Sequence, residues 1–350
     1  VLVTLAVFLL CLCVRYQAEL YDEKLIPGAY YRSYLLSLRL LFTGGADAAQ
    51  AVEGVGGSVL YLGALARLRI TALAVVAGGA LAISGAVFQT AYRNPMASPN
   101  MLGATAGVKL GNVLVVLLYS AQAVEKINLR YEFCYGFTAI CVLLVFLLGK
   151  FTGSGRGHSS IMEVVMVGSI LSQGLNVVNM YLMYSLDDED LLLYQQISLG
   201  TYQQTDKVSM IIFFTVMLLS VAPVVLLRYR LNALGLEPEE TTLLGIRVRP
   251  LEITAQLCGV VMVTCAMIHC GEVGMLSMVI PYLVRQWVGA DFRRVCVYSA
   301  LGGGVLLMVC RTLTSFLVMD GEPIPVTFLV NLVVMPIFMV MLARQRRGNQ

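Results

Sequence analysis

Charge is what this sequence has least of. Of its 350 residues only 13% are Asp, Glu, Lys or Arg, about half the share of roughly 25% found in soluble domains. So few charges cannot clothe a water-facing globule of this size, and they exclude disordered and coiled-coil chains as well. Histidine is nearly missing, with His158 and His269 alone, and no CxxC pair occurs. The nine cysteines lie in or beside apolar runs and read as small buried residues rather than as a metal site or a disulfide framework. There is no GxxxxGK[ST] to hold ATP, no HExxH and no GxSxG. No paired Asp/Glu suggests a proton relay inside a span. These gaps leave no catalytic constellation, no metal and no cofactor of the chain's own. A net charge of +3, with scattered basic residues, gives no reason to expect nucleic acid.

What is abundant is apolar surface: 58% of residues are hydrophobic and the mean hydropathy is +0.80. Lipid is the solvent that suits such a surface, so the chain reads as an all-α polytopic membrane protein. A helix crosses about 30 Å of hydrocarbon with roughly 20 residues. Apolar segments fall at 1–16, 70–92, 99–118, 133–149, 161–185, 208–228, 251–270, 274–289, 296–318 and 325–343, which makes ten candidate transmembrane helices. The first starts abruptly at Val1, with neither Met nor a basic flank, and reads as a helix already under way rather than as a cleaved signal peptide. The 274–289 segment is short and carries Pro281, so it is expected to cross only part of the bilayer.

Lys and Arg in short loops set the orientation. Arg93, Lys150, Arg156, Arg228, Arg230, Arg247, Arg249, Arg285, Arg293, Arg294, Arg344, Arg346 and Arg347 all fall on one side if both termini are cytoplasmic. The short opposite loop Asp187-Asp188-Glu189-Asp190 is acidic. The whole of 1–350 then reads as a single transmembrane domain, with 17–66 as an extracytoplasmic segment.

Several features stand out from generic membrane composition. Gly78-Gly79-Ala80 and Gly302-Gly303-Gly304 are small-residue clusters that let helix backbones approach closely. Asn94-Pro95 and Ser98-Pro99 break the helix at a turn. On the fifth segment Ser169, Ser172, Gln173, Asn176 and Asn179 recur at three and four residues, placing them on one face. Such a stripe either hydrogen-bonds to neighbouring helices or lines a pore. Lys109 follows Asn100 by nine positions, about 13 Å along a helix, where a lysine costs about 2.5–3.5 kcal/mol on insertion scales. Together with Asn112 it makes a polar patch. Intramembrane charges usually face a cavity, so Lys109 is expected either to line a path for an anionic substrate or to pair with a carbonyl or acidic side chain. Between two spans, residues 231–246 interleave Leu231, Leu234, Leu236, Leu243, Leu244 and Ile246 with Glu237, Glu239 and Glu240, bracketed by Gly235 and Gly245. A loop this rich in leucine needs a surface to bury it, either the membrane or a partner.

Three ordered stretches carry a family resemblance. They are Gly79-Ala-Leu-Ala-Ile-Ser-Gly-Ala-Val-Phe-Gln89 with Arg93-Asn-Pro-Met-Ala-Ser-Pro-Asn-Met-Leu-Gly103; Leu231 through Ile246; and Gly271-Glu-Val-Gly-Met-Leu-Ser-Met-Val-Ile-Pro-Tyr-Leu-Val-Arg285 with Gly289-Ala-Asp-Phe-Arg-Arg294. In order and spacing they resemble the FecCD family, permeases of type II ABC importers for ferric siderophores, haem and cobalamin, from about residue 58 to residue 345. The resemblance implies a ten-helix permease in the bacterial plasma (inner) membrane, working as a dimer with a second copy or a paralogue. It also implies two cytoplasmic ATPase subunits, which bind the ATP, and an extracytoplasmic substrate-binding lipoprotein. The permease itself is then not an enzyme. Leu231, Leu234, Gly235, Leu236, Glu239, Leu244 and Gly245 become the ATPase-coupling segment. The stripe on the fifth segment, with Lys109 and Asn112, becomes the translocation path, although the family supplies no role for a lysine at 109. Where the family has Arg-Leu-Pro-Arg for docking the binding protein, this chain has Arg67-Leu68-Arg69-Ile70, so Arg67 and Arg69 are the docking candidates, with interfacial snorkelling as the alternative. Outside the family, an ion-coupled secondary transporter is the alternative reading.

Overall fold

The computed structural model describes residues 55–119, 127–152, 161–200, 207–236, 241, 245, 248–314, 317–319 and 322–348. The described chain folds into eleven α-helices. They are α1 (Val55–Ala91), α2 (Ala104–Tyr119), α3 (Ile127–Thr152), α4 (Ile161–Met183), α5 (Asp188–Leu199), α6 (Lys207–Leu226), α7 (Arg228–Ala233), α8 (Val248–Cys270), α9 (Gly274–Val288), α10 (Phe292–Thr314) and α11 (Val326–Gly348). A 3₁₀ turn, Pro99–Leu102, leads into α2. Two-residue strands, Val318–Met319 and Glu322–Pro323, pair antiparallel between α10 and α11. Nine of the ten expected segments fall on these helices; the first, 1–16, lies outside the described residues.

Among the described residues, five helices are long and apolar enough to cross a membrane, over Leu68–Ala91, Leu129–Leu148, Val208–Leu226, Val248–Cys270 and Phe292–Thr314. The segment holding Pro281 forms a helix of 15 residues, about 22 Å long, shorter than the hydrocarbon thickness. Two short helices, α5 and α7, occupy stretches that carry no span.

The spine is α1, embraced by α8, α9 and α10. Small residues make that possible. A Cβ on Gly78 would meet the Gly303 carbonyl, one on Gly303 the Gly78 carbonyl, and one on Gly304 the Val75 carbonyl. The two glycine clusters singled out in the sequence thus face each other across the α1–α10 contact, backbone to backbone, the arrangement by which helices gain close packing in lipid. On another side of α1, Gly85 lies against Ser277 of α9. A second group of helices gathers on α2, which packs on α3, α4, α5 and α8. Here Gly107 and Gly111 lie against Thr138 and Cys134 of α3. One large apolar core runs through both groups. A small satellite, Val113, Val116, Tyr194 and Ile197, sits under α5.

Candidate translocation path and coupling face

The three sequence stretches meet in space at the end of the bundle where α1 terminates. Arg93, in a left-handed conformation at φ 48°, donates from Nε to the Leu234 carbonyl at 3.1 Å. Asn232 Oδ1 accepts from the backbone N–H of Phe292, the first residue of α10, at 2.8 Å. Arg285 of α9 donates to Gln89 Oε1 at 3.3 Å and to the Ala86 carbonyl at 3.2 Å, while Gln89 Nε2 donates to the Met278 carbonyl at 2.7 Å. The first stretch is therefore bonded to both of the others. In the loop before α10, the Arg293 guanidinium bonded to Asp291 at 2.7 Å holds that carboxyl below its usual range.

This clamp sorts the residues of 231–246. Leu231 and Leu234 are buried in the chain's own core at 2% exposure each, whereas Leu236 is 42% exposed. Gly235 and Gly245 are exposed too, and Thr241 Oγ1 donates back to the Ala233 carbonyl at 3.0 Å. Glu239 and Leu244 lie outside the described residues. Of the described leucines, two thus hold the segment to the bundle and Leu236 is left exposed. Beside it, Arg228 and Arg293 lie over the exposed ring of Tyr229, at 5.3 and 5.4 Å from its centroid.

The polar stripe of α4 divides in the same way. Ser172 Oγ donates to the Asn100 carbonyl at 3.4 Å, and Asn179 Nδ2 donates to the Tyr194 hydroxyl at 3.0 Å, so both hold α4 to its neighbours. Ser169 and Gln173 are exposed and Asn176 is half-buried. Asn112 is buried and accepts from Arg130 Nε at 3.0 Å. Lys109 meets Glu272, in the turn between α8 and α9, at Nζ–Oε2 2.8 Å; the two side chains are 26% and 41% exposed. The ammonium thus has an acidic partner on a polar surface that is not closed off, and the pair carries no net charge. Of the docking candidates, Arg69 is half-buried on α1, just past the start of the apolar stretch at Leu68. The side chain of Arg67 lies outside the described residues.

Sequence reasoning overlooked α5 and the way it is held. Asp188, Glu189 and Asp190 fill its first turn, where negative charge complements the helix dipole. Gly200 ends it in a left-handed conformation, φ 72°, as glycine commonly does. Both signals stand in the letters. The last four carbonyls of the segment are received by four different elements. Arg130 Nη2 of α3 donates to Ile197 at 3.4 Å, the Glu272 N–H to Ser198 at 3.2 Å, Thr327 Oγ1 of α11 to Leu199 at 3.3 Å, and Arg311 Nη1 of α10 to Gly200 at 3.3 Å. Helix ends leave such carbonyls without intrahelical partners, and two guanidinium groups suit the negative end of the dipole. Gly271, at φ 76°, lies back to back with Gly200; a Cβ on either would strike the other's backbone or its neighbour's. No letter-level pattern links Arg130, Arg311 and Thr327 to that one helix end.

Comparison with known proteins agrees with this architecture. Residues 42–344 match the FecCD transport family. The hemin transport system permease protein HmuU of Yersinia pestis is 30% identical over 282 residues, covering 80% of this chain and 82% of that protein. The molybdate import system permease protein MolB of Haemophilus influenzae is 28% identical over 300 residues, 85% of each. Among solved structures, an ABC transporter of metal-chelate type in an inward-facing conformation superposes with a TM-score of 0.72 at 25% identity, covering 90% of this chain and 99% of that one. With the family matched over most of its length and the family's three motifs clamped together at one end of an all-helical bundle, the chain belongs to the FecCD transport family of ABC transporter permeases.

Proposed function

We propose that this chain is the membrane-spanning subunit of a type II ABC importer that carries a metal chelate, with haem or a ferric siderophore first and a cobalamin-like corrinoid as a further candidate. The carrying observation is the similarity to a hemin permease at 30% identity over four-fifths of the chain. The molybdate relative makes an oxyanion the competing cargo. In this reading the permease works by alternating access as a dimer with a second copy or a paralogue, in a bacterial plasma membrane with both termini cytoplasmic. Two ATPase subunits hold the ATP, and the chain needs no cofactor of its own. They seat on segment 231–246, with Leu236 as the contact and Leu231 and Leu234 as its anchors. Gly235, Glu239, Leu244 and Gly245 complete that segment. Stretch 17–66 is extracytoplasmic, and Arg67 and Arg69 beyond it receive the binding protein.

The path runs along Ser169, Gln173 and Asn176 and past the Lys109–Glu272 pair, with Asn112, Ser172 and Asn179 holding the wall behind them. A neutral ion pair suits a cargo whose charge is already balanced within the chelate better than it suits a bare oxyanion. Glu272 also offers a carboxylate beside the path, a group that an ion-coupled secondary transporter could use, which keeps that alternative testable. The test is uptake into proteoliposomes holding the permease with its ATPase and binding protein, using haemin, ferric dicitrate, cobalamin and molybdate. ATP-dependent uptake of haemin or the ferric chelate is the expected result. Uptake driven by a proton or sodium gradient without ATP would overturn the importer reading, and uptake of molybdate alone would overturn the cargo.

A further inference from the structure

Helix α5 is held in two chemically different ways, along its body and at its C-terminal end. Its body rests, through Tyr194 and Ile197, on the small apolar satellite with Val113 and Val116, edged by Leu182, Met183 and Leu186 from the end of α4 and the loop after it. One side-chain bond, Asn179 to Tyr194, accompanies that contact. Its far end gives up four consecutive carbonyls to donors from α3, the α8–α9 turn, α11 and α10. Apolar contact is non-directional and tolerates sliding of one surface over another. Hydrogen bonds weaken steeply once distance or angle departs from the ideal, so a small shift at the far end would break several together. The turn that supplies the Glu272 N–H is itself tied to α2 by the Lys109–Glu272 ion pair. The Gly200–Gly271 approach, which no side chain could occupy, brings the two segments into register.

We infer that Arg311 and Thr327, with the Lys109–Glu272 pair, are positioning residues that fasten the end of α5 to the α8–α9 turn, α10 and α11, so that α5 travels with them rather than with α4, its neighbour in the chain. Lys109 then acts through Glu272 on the placement of α5, a task separate from any contact it makes with cargo.

Distance distributions between spin labels test this without reference to cargo. The labels are genetically encoded residues, so the nine native cysteines stay in place. They replace Leu192 on α5, Leu332 on α11 and Val177 on α4, all well exposed, and the full-length permease is measured in lipid nanodiscs. The Leu192–Leu332 distribution should be the narrower and the Leu192–Val177 distribution the broader. Arg311→Ala should broaden the first to the width of the second, and Arg311→Lys, which keeps a cationic donor, should restore it. Should Arg311→Ala not yield a folded protein, Thr327→Val removes one donor at nearly constant shape and should broaden the same distance by a smaller amount. Lys109→Met should broaden it too, and the charge swap Lys109→Glu with Glu272→Lys should narrow it again. Equal widths for the two distances in the unmodified protein, or a Leu192–Leu332 distance indifferent to these variants, would overturn the inference. Failure of haemin uptake would bear on the proposed cargo and leave this result standing.

Discussion

Helices α1 and α4 look alike as letters, each a long apolar run with small residues, yet they occupy opposite kinds of position. In α1 the residues from Ile70 to Ala91 are nearly all buried, with Gly78, Gly79 and Gly85 pressed against neighbouring backbone. In α4 half of the described residues from Met166 to Met183 are exposed, including Ile170, Val177 and Tyr181, and Gly174 has nothing within 4 Å of where a Cβ would stand. Lipid tails are as apolar as leucine, so hydrophobicity alone does not drive one membrane helix onto another. What distinguishes the two is how many of their small residues have a facing backbone to meet: Gly78, Gly79 and Gly85 in α1, but in α4 Gly168, against the Met101 carbonyl, and not Gly174. That makes α1 a spine on which stability depends, and α4 a helix that keeps Gln173 of its polar stripe exposed while Ser172 and Asn179 hold it to the bundle.

The sharpest way to break this contrast is at the glycines. A side chain at Gly85 would run into the Ser277 carbonyl, backbone that cannot step aside. Gly85→Leu should therefore cost more than about 3 kcal/mol and abolish the monodisperse peak of the purified protein. A normal elution profile and melting temperature would show that α1 and α9 separate more easily than their contact implies. The same contrast recurs within the coupling segment. Leu234→Ala empties a core site and should cost about 2–5 kcal/mol, read as a fall in the thermal midpoint. Leu236→Asp, on the exposed side, should stay within about 0.5 kcal/mol while losing ATPase co-purification. If Leu236→Asp keeps its ATPase, the free part of 231–246 is not the contact.

Much of this was legible beforehand, for identifiable reasons. Length and hydropathy placed nine described segments on helices, because lipid thickness sets a minimum apolar run. The glycine clusters at 78 and 303 proved to be each other's partners. Within 231–246, alternation alone could not say that Leu234 turns inward and Leu236 outward, since that depends on Arg93 and Phe292, both distant in sequence. The stripe on α4 was visible as spacing, but Asn179 and Ser172 being committed to Tyr194 and Asn100 was not. Helix α5 carried its own signals, acidic first turn and terminal glycine, which were hidden by reading the acidic run as a loop. Arg130 could not have been placed from sequence at all, because its partners lie on two other helices.

Smaller effects sharpen the account further. The Lys109–Glu272 pair is partly exposed, so Lys109→Met should change stability by no more than about 1 kcal/mol. Equal loss of uptake for haemin and for an uncharged chelate, with recovery in the charge swap Lys109→Glu/Glu272→Lys, is the expected outcome for a positioning role. Selective loss of the anionic cargo, unrelieved by the swap, would make the ammonium a cargo contact. Gly174→Ala should be the mildest of all. With no neighbour to meet, it should raise stability by about 0.4–1 kcal/mol, measured as a small increase in melting temperature; a decrease would mean that α4 has a close partner at that point.

The central claim is that the exposed polar face of α4 looks onto water while its opposite side looks onto lipid. A membrane-impermeant maleimide tests it most directly, applied to the permease in proteoliposomes after Gln173→Cys or Val178→Cys. Val178 lies five residues along, on the far side of the helix at 100° per residue. The seven described native cysteines are buried or half-buried, which keeps the background low. The account predicts rapid labelling of Gln173→Cys and little at Val178→Cys. Equal rates at both positions, or faster labelling at Val178→Cys, would contradict it.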